Sequence, residues 1–177
     1  MKTTMTIAIA IKPTRFAVFA FVIMATLAAA AQSGGQKSFD AMKSLNGNWE
    51  GKDSMGAAVQ VSFRPTAGGS AIMSEIQTAM KGHSEDMVTM IHMNGDHLLL
   101  THYCAAGNQP RMQASASPDG KTITFNFLDA TNLANPEAGH MHRVVFTFVD
   151  AIHHTEEWQF QDHGKQIVAH FELQKKS

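Results

Sequence analysis

Cysteine is almost missing from this chain: Cys104 is the only one among 177 residues. No intramolecular disulfide can support the fold, and no Cys-x-x-Cys-His haem attachment is present. Basic clusters are missing too. The 14 Lys and Arg residues are dispersed against 15 Asp and Glu. Counterion-release binding needs concentrated positive charge, which excludes a nucleic-acid partner. Phosphate loops, His-Glu-x-x-His, nucleophile elbows and dinucleotide fingerprints are all absent. That weighs against an enzyme, leaves the catalytic set empty, and assigns no cofactor and no metal. Amphipathic helices of crossover length are missing between the strand-like segments, which rules out a parallel βαβ fold.

Long apolar runs are confined to one place, Phe16–Ala31, which is 16 residues long and ends in Ala28, Ala29, Ala30 and Ala31. A spanning helix needs roughly 20 apolar residues. Lys2, Lys12 and Arg15 precede the run, and small residues close it. A basic start, a short apolar middle and a small-residue exit describe a cleavable signal peptide. The expectation is a signal peptide over 1–31, cut before Gln32, a flexible leader over 32–37, and one domain over 38–177. The product is then exported, periplasmic or secreted, with no membrane span after cleavage. No Cys follows the run, so a lipid anchor is not expected. Losing Lys2, Lys12 and Arg15 leaves 11 basic against 15 acidic residues, a net charge of −4 with His neutral. All ten His residues lie in the remainder.

What is present is a series of short segments with turn chemistry between them. Ser38–Leu45 reads as a helix with Ser38 as N-cap and Phe39, Met42 and Leu45 on one side. Strands are expected at 47–53, 57–64, 70–80, 85–93, 97–104, 110–117, 121–128, 140–149, 152–161 and 165–174. Asn94-Gly95, Pro118-Asp119-Gly120 and His163-Gly164 supply the positive-φ positions of hairpins. Ten sequential antiparallel strands point to an all-β, up-and-down barrel, because closure removes exposed edges.

Strand parity then assigns faces. A two-residue turn at His163-Gly164 puts Glu156, Trp158 and Phe160 on one face with Ile167, Ala169, Phe171 and Leu173. A three-residue turn at 150–152 adds His142, Val144, Phe146, Phe148 and His154. The Asn94-Gly95 turn groups Met87, Ile91 and Met93 with Leu98, Leu100, His102 and Cys104. Pro118-Asp119-Gly120, taken with a Gly bulge, groups Ile123, Phe125 and Phe127 with Arg111, Gln113 and Ser115. The apolar faces must point inward, and they carry polar groups with them. The candidate ligand-binding set is therefore His102, Arg111, Gln113, Phe125, Phe127, His142, Phe146, His154, Glu156 and Trp158. A solid core would hardly collect so many polar groups, since buried charges are costly unless paired. Arg111 needs compensation, from Glu156 or from a ligand's head group.

Leu45-x-Gly47-x-Trp49-x-Gly51 after a short helix resembles the first-strand motif of lipocalin-like (calycin) barrels. Thr101–Met112, His140-Met141-His142 and Glu157-Trp158 are similar to segments of exported bacterial proteins of that group. The resemblance covers most of 38–174 and implies a β-barrel with a ligand cavity, without transferring catalytic residues. The strand number is closer to fatty-acid-binding and nitrobindin-like barrels than to the eight-stranded lipocalins.

The leading expectation is an extracytoplasmic protein holding a small, hydrophobic ligand with a polar or anionic head in the lumen. One alternative is a metal- or haem-binding barrel using His140, His142 and His102, the first two sharing a strand face. Another is a small enzyme with Glu156 and a His as acid–base pair.

Overall fold

The computed structural model describes residues 33–80 and 83–177, so residues 1–31, expected from sequence to be a signal peptide, lie outside the described residues. No described helix is long and apolar enough to cross a membrane.

The strands are β1 (Gly47–Asp53), β2 (Ala58–Thr66), β3 (Ala71–Met80), β4 (His83–Asn94), β5 (His97–Tyr103), β6 (Gln109–Ala116), β7 (Thr122–Thr131), β8 (His140–Phe148), β9 (His153–Asp162) and β10 (Lys165–Lys175). Each pairs antiparallel with its sequence neighbours, and β1 pairs with β10 to close a ten-stranded barrel. Alternation drives the inward face: in β2, Val59, Val61 and Phe63 are buried while Ala58 and Gln60 are exposed. Closure depends on Gly51. A Cβ there would lie 1.8 Å from the Glu172 carbonyl oxygen, so a side chain would push β1 and β10 apart.

One helix, α1 (Gly34–Ser44), precedes the barrel. It starts earlier than its sequence suggests, so residues 34–37 are helix and not leader. Gly34 and Gly35 are poor helix formers. The cap is Ser33, whose Oγ accepts from the Gln36 amide at 3.2 Å, whereas Ser38 is buried and donates back to the Gly34 carbonyl. Phe39, Met42 and Leu45 are buried against the barrel end formed by β2, β4, β5 and β6. Trp49 completes this plug. Its indole Nε1 donates at 2.7 Å to the Leu45 carbonyl, one of the acceptors a helix end leaves open. That bond and the Gly51 approach account physically for the Leu-x-Gly-x-Trp-x-Gly pattern.

Two hairpins fix registers as the sequence implies. His163 and Gly164 take φ of 45° and 75°, pairing Asp162 with Lys165. Val149 donates to the His153 carbonyl, leaving 150–152 as the turn. The β6–β7 hairpin does not follow expectation. Ser117 donates to the Thr122 carbonyl at 2.8 Å, so the loop holds four residues, 118–121, and not three. Asp119 stabilises the longer loop by accepting from Ser117 Oγ and the Lys121 amide. Those bonds, the Ser117 one foremost, hold its carboxyl below the usual carboxylate range. One extra residue inverts the face of β6. Met112 and Ala114 stand opposite Phe127 and Phe125, and Arg111, Gln113 and Ser115 point out.

Candidate functional site

The lumen is filled at the helix end, and the exposure of inward-facing residues rises toward the other. Along the inward face of β10, Leu173 is 3% exposed, Phe171 5%, Ala169 half-buried and Ile167 62%. Phe160, paired with Ile167, is half-buried, as are Phe127 and Met87. Near the helix, His154 stands edge-on to Trp49 with ring centroids 4.3 Å apart and also touches Phe63. Phe125 and Phe146 pack together at 5.9 Å. Halfway up, His102 from β5 meets Trp158 from β9 at 4.8 Å, so these two close the lumen across its width.

Glu156 lies inside the barrel as expected, 0% exposed, but its partners are not Arg111. It accepts from Trp158 Nε1 at 2.8 Å and pairs with His154 Nε2 at 3.0 Å. Both carboxylate oxygens are therefore engaged by residues on its own strand. His154 Nδ1 has no protein partner although it is buried.

His102 shares a hydrogen bond between Nδ1 and Thr89 Oγ1 at 2.9 Å. Burial pushes its pKa down to about 4, which keeps the ring neutral at ordinary pH. Its Nε2 is buried without a protein partner, and so is Thr78 Oγ1 on the neighbouring inward face of β3. Thr89 and Thr78 escape sequence reasoning because threonine suits either face of a strand.

The mouth is built on a bulge in β8. Met141 pairs with Phe160 and Arg143 with Gln159, leaving His142 as the extra residue. One step beyond the Asn126–Arg143 pair, His142 comes opposite Phe127. The two rings stack at 5.2 Å with 20° between their planes, and His140 packs on the same Phe127 at 4.6 Å. His140 Nδ1 lies 2.8 Å from the Ala138 carbonyl, and its Nε2 lies 3.2 Å from His142 Nδ1. Burial, then electrostatic coupling to His140, lowers the His142 pKa.

The rim holds this pair in place. Asn108, 4% exposed, donates from Nδ2 to the Gly139 carbonyl at 2.8 Å, beside His140. Asn132 donates to the Gly107 carbonyl, and the His163 amide to the Glu137 carbonyl. The segments around Asn108 and His140, read separately in the sequence, are thus joined in space. No sequence pattern marks Asn108 as the link.

Arg111 and Gln113 are corrected. Arg111 is on the outer surface, bidentate to Asp129 through Nε, at 2.6 Å from Oδ1, and Nη2. The Arg111 bonds hold the Asp129 carboxyl below its usual range. Gln113 pairs with Leu99 and Asn126 on the outward face. Of the remaining candidates, His102, Phe125, Phe146, His154, Glu156 and Trp158 are buried inside, and Phe127 and His142 line the mouth. His140 and His142 meet at the mouth, while the described ring contact of His102 is with Trp158. Among the described residues, no group of three or more His, Cys, Asp or Glu is arranged to hold a metal ion.

These features define the chain as a closed ten-stranded antiparallel barrel, plugged at one end by α1 and Trp49. The crystal structure of Rv2717c from M. tuberculosis has a similar fold, with a TM-score of 0.55 at 17% identity, covering 79% of this chain and 98% of that one. No family model and no curated protein matches the sequence.

Proposed function

We propose that this chain is an exported lipocalin-like (calycin) barrel that binds a small, largely apolar ligand carrying a polar head. The ligand enters by the mouth away from the helix and rests above His102 and Trp158. The observation that carries this reading is the exposure gradient on β10. Inward-facing Ile167 is 62% exposed while Leu173, six residues on along the same face, is 3% exposed. An apolar wall left open to solvent at one end of a barrel is the usual form of a small-molecule site. His102 Nε2 and Thr78 Oγ1, buried without protein partners, add polar groups that a bound head group can satisfy. The first-strand motif, with Trp49 sealing the base against α1, supports the calycin reading. Residues 1–31 support export.

With Arg111 outside, an anionic head loses its expected partner, and the reading moves to an uncharged polar head. Binding is favoured over acid–base catalysis because Glu156 is fully buried with both oxygens engaged. The test is native mass spectrometry of the purified protein, followed by displacement of a fluorescent apolar probe by alcohols of graded length. Saturable binding that Ile167→Arg abolishes, without loss of fold, is expected. No retained mass and no saturable probe binding would refute the proposal.

A further inference from the structure

We infer that the His140–His142 pair reads a hydrogen-bond donor on the ligand, so that the head group is a neutral hydroxyl, alcohol or phenol. This rests on the binding proposal above and adds the chemistry of recognition.

The argument begins at a backbone atom. The Ala138 carbonyl can only accept, so at 2.8 Å it requires the proton on His140 Nδ1. A neutral His140 then offers Nε2 as an acceptor. His142 Nδ1, 3.2 Å away, must donate to it. Its own proton being spent there, a neutral His142 has only a lone pair left at Nε2. One carbonyl thus sets the tautomer of two rings in series, and the outer ring ends as an acceptor at the mouth.

This chain of donors holds with both rings neutral. Among the described contacts neither has a carboxylate partner; Phe127 stacks on His142 and packs at a tilt against His140. Burial and the proximity of His140 hold His142 in its uncharged form, which agrees with the tautomer chain. Stacking on Phe127 leaves the ring edge as the polar contact His142 can make. The described inner wall offers no cation for a carboxylate head. Arg111 is outside, and Lys165 is exposed at the rim across from Asp162. A hydroxyl supplies the donor that Nε2 lacks, whereas an ether of the same size does not.

The test compares octanol, octyl methyl ether and octanoic acid in displacing an apolar probe at neutral pH. Wild type should bind octanol about tenfold tighter than the ether, the usual worth of one neutral hydrogen bond. His142→Phe, which keeps the stack on Phe127, should bring that ratio close to one. Proton–nitrogen correlation NMR of the wild type should find the proton on Nδ1 of both His140 and His142, whether or not the variant folds. A proton on His142 Nε2, equal binding of alcohol and ether, or tightest binding of the acid would each overturn the inference while leaving lumen binding intact. Failure of every amphiphile to bind would remove the binding proposal itself, and this inference with it.

Discussion

The base and the mouth of the barrel both carry paired polar side chains, yet they treat them in opposite ways. At the base, His154, Glu156 and Trp158 bond to one another along a single strand face and are at most 3% exposed. At the mouth, His140 and His142 are aligned by the Ala138 carbonyl, and the chain of bonds ends on a half-buried ring. The first arrangement engages both Glu156 oxygens inside the core and leaves His154 Nδ1 sealed without a protein partner; the second ends on a ring at the mouth. The difference teaches where to look for binding: not where a network is sealed in the core, but where an ordered network reaches a half-buried ring.

Substitutions can break or sharpen that contrast, and the base should give the largest effect. Trp49→Ala removes a 2% exposed ring that plugs the barrel and strands the Leu45 carbonyl. A loss of about 3–5 kcal/mol is expected, read from urea unfolding. An unchanged midpoint would mean that the helix seals the base without the indole.

His102, between the two ends, gives a pH signature. The folded state keeps its ring neutral down to about pH 4, while the unfolded chain protonates from about 6.5. Stability is therefore full above pH 6.5 and is lost as pH falls toward 4, by about 3 kcal/mol from this residue. Thermal melts of wild type should show that decline, and His102→Gln, which can keep a bond to Thr89, should flatten it. A variant as acid-sensitive as wild type would remove His102 as the cause.

The smallest effect should come from Arg111→Met. The guanidinium and its Asp129 partner are each about half exposed, and exposed pairs contribute little. Neither the melting temperature nor probe affinity should change appreciably. A clear loss of affinity would return Arg111 to the lumen and invert the face of β6.

Much of the fold was legible in the sequence because its turns carry their register. His163-Gly164 can hardly form anything but a two-residue hairpin, and it fixed the faces of β9 and β10, Glu156 included. The 150–152 turn did the same for Phe146. Pro118-Asp119-Gly120 was misleading because loop length there is decided by Asp119, whose side chain bonds both Ser117 and Lys121 and lengthens the loop by one. Parity arguments amplify such an error along the whole strand, which is why Arg111 and Gln113 were lost together. The helix start was hidden by Gly34 and Gly35, whose poor propensity is overridden by packing and by the Ser33 cap. At the mouth, the bulge at His142 and the link from Asn108 to Gly139 are contacts between segments remote in sequence, which no local pattern specifies.

The pairing of β1 with β10 has a consequence for how the protein is made. These partners are the first and last strands, joined through five registered pairs from Trp49–Lys175 to Asp53–Phe171. Every other pairing links consecutive strands and can form as the chain emerges. Until β10 has been synthesised, the growing sheet keeps β1 as an open edge, and α1 and Trp49 have no closed cylinder to seal. Closure is thus a single late event that joins distant parts of the chain, the kind of contact that slows folding. During that interval the unpaired amides of β1 are free to recruit a strand from another molecule, so the time spent waiting for β10 sets the window for misassembly.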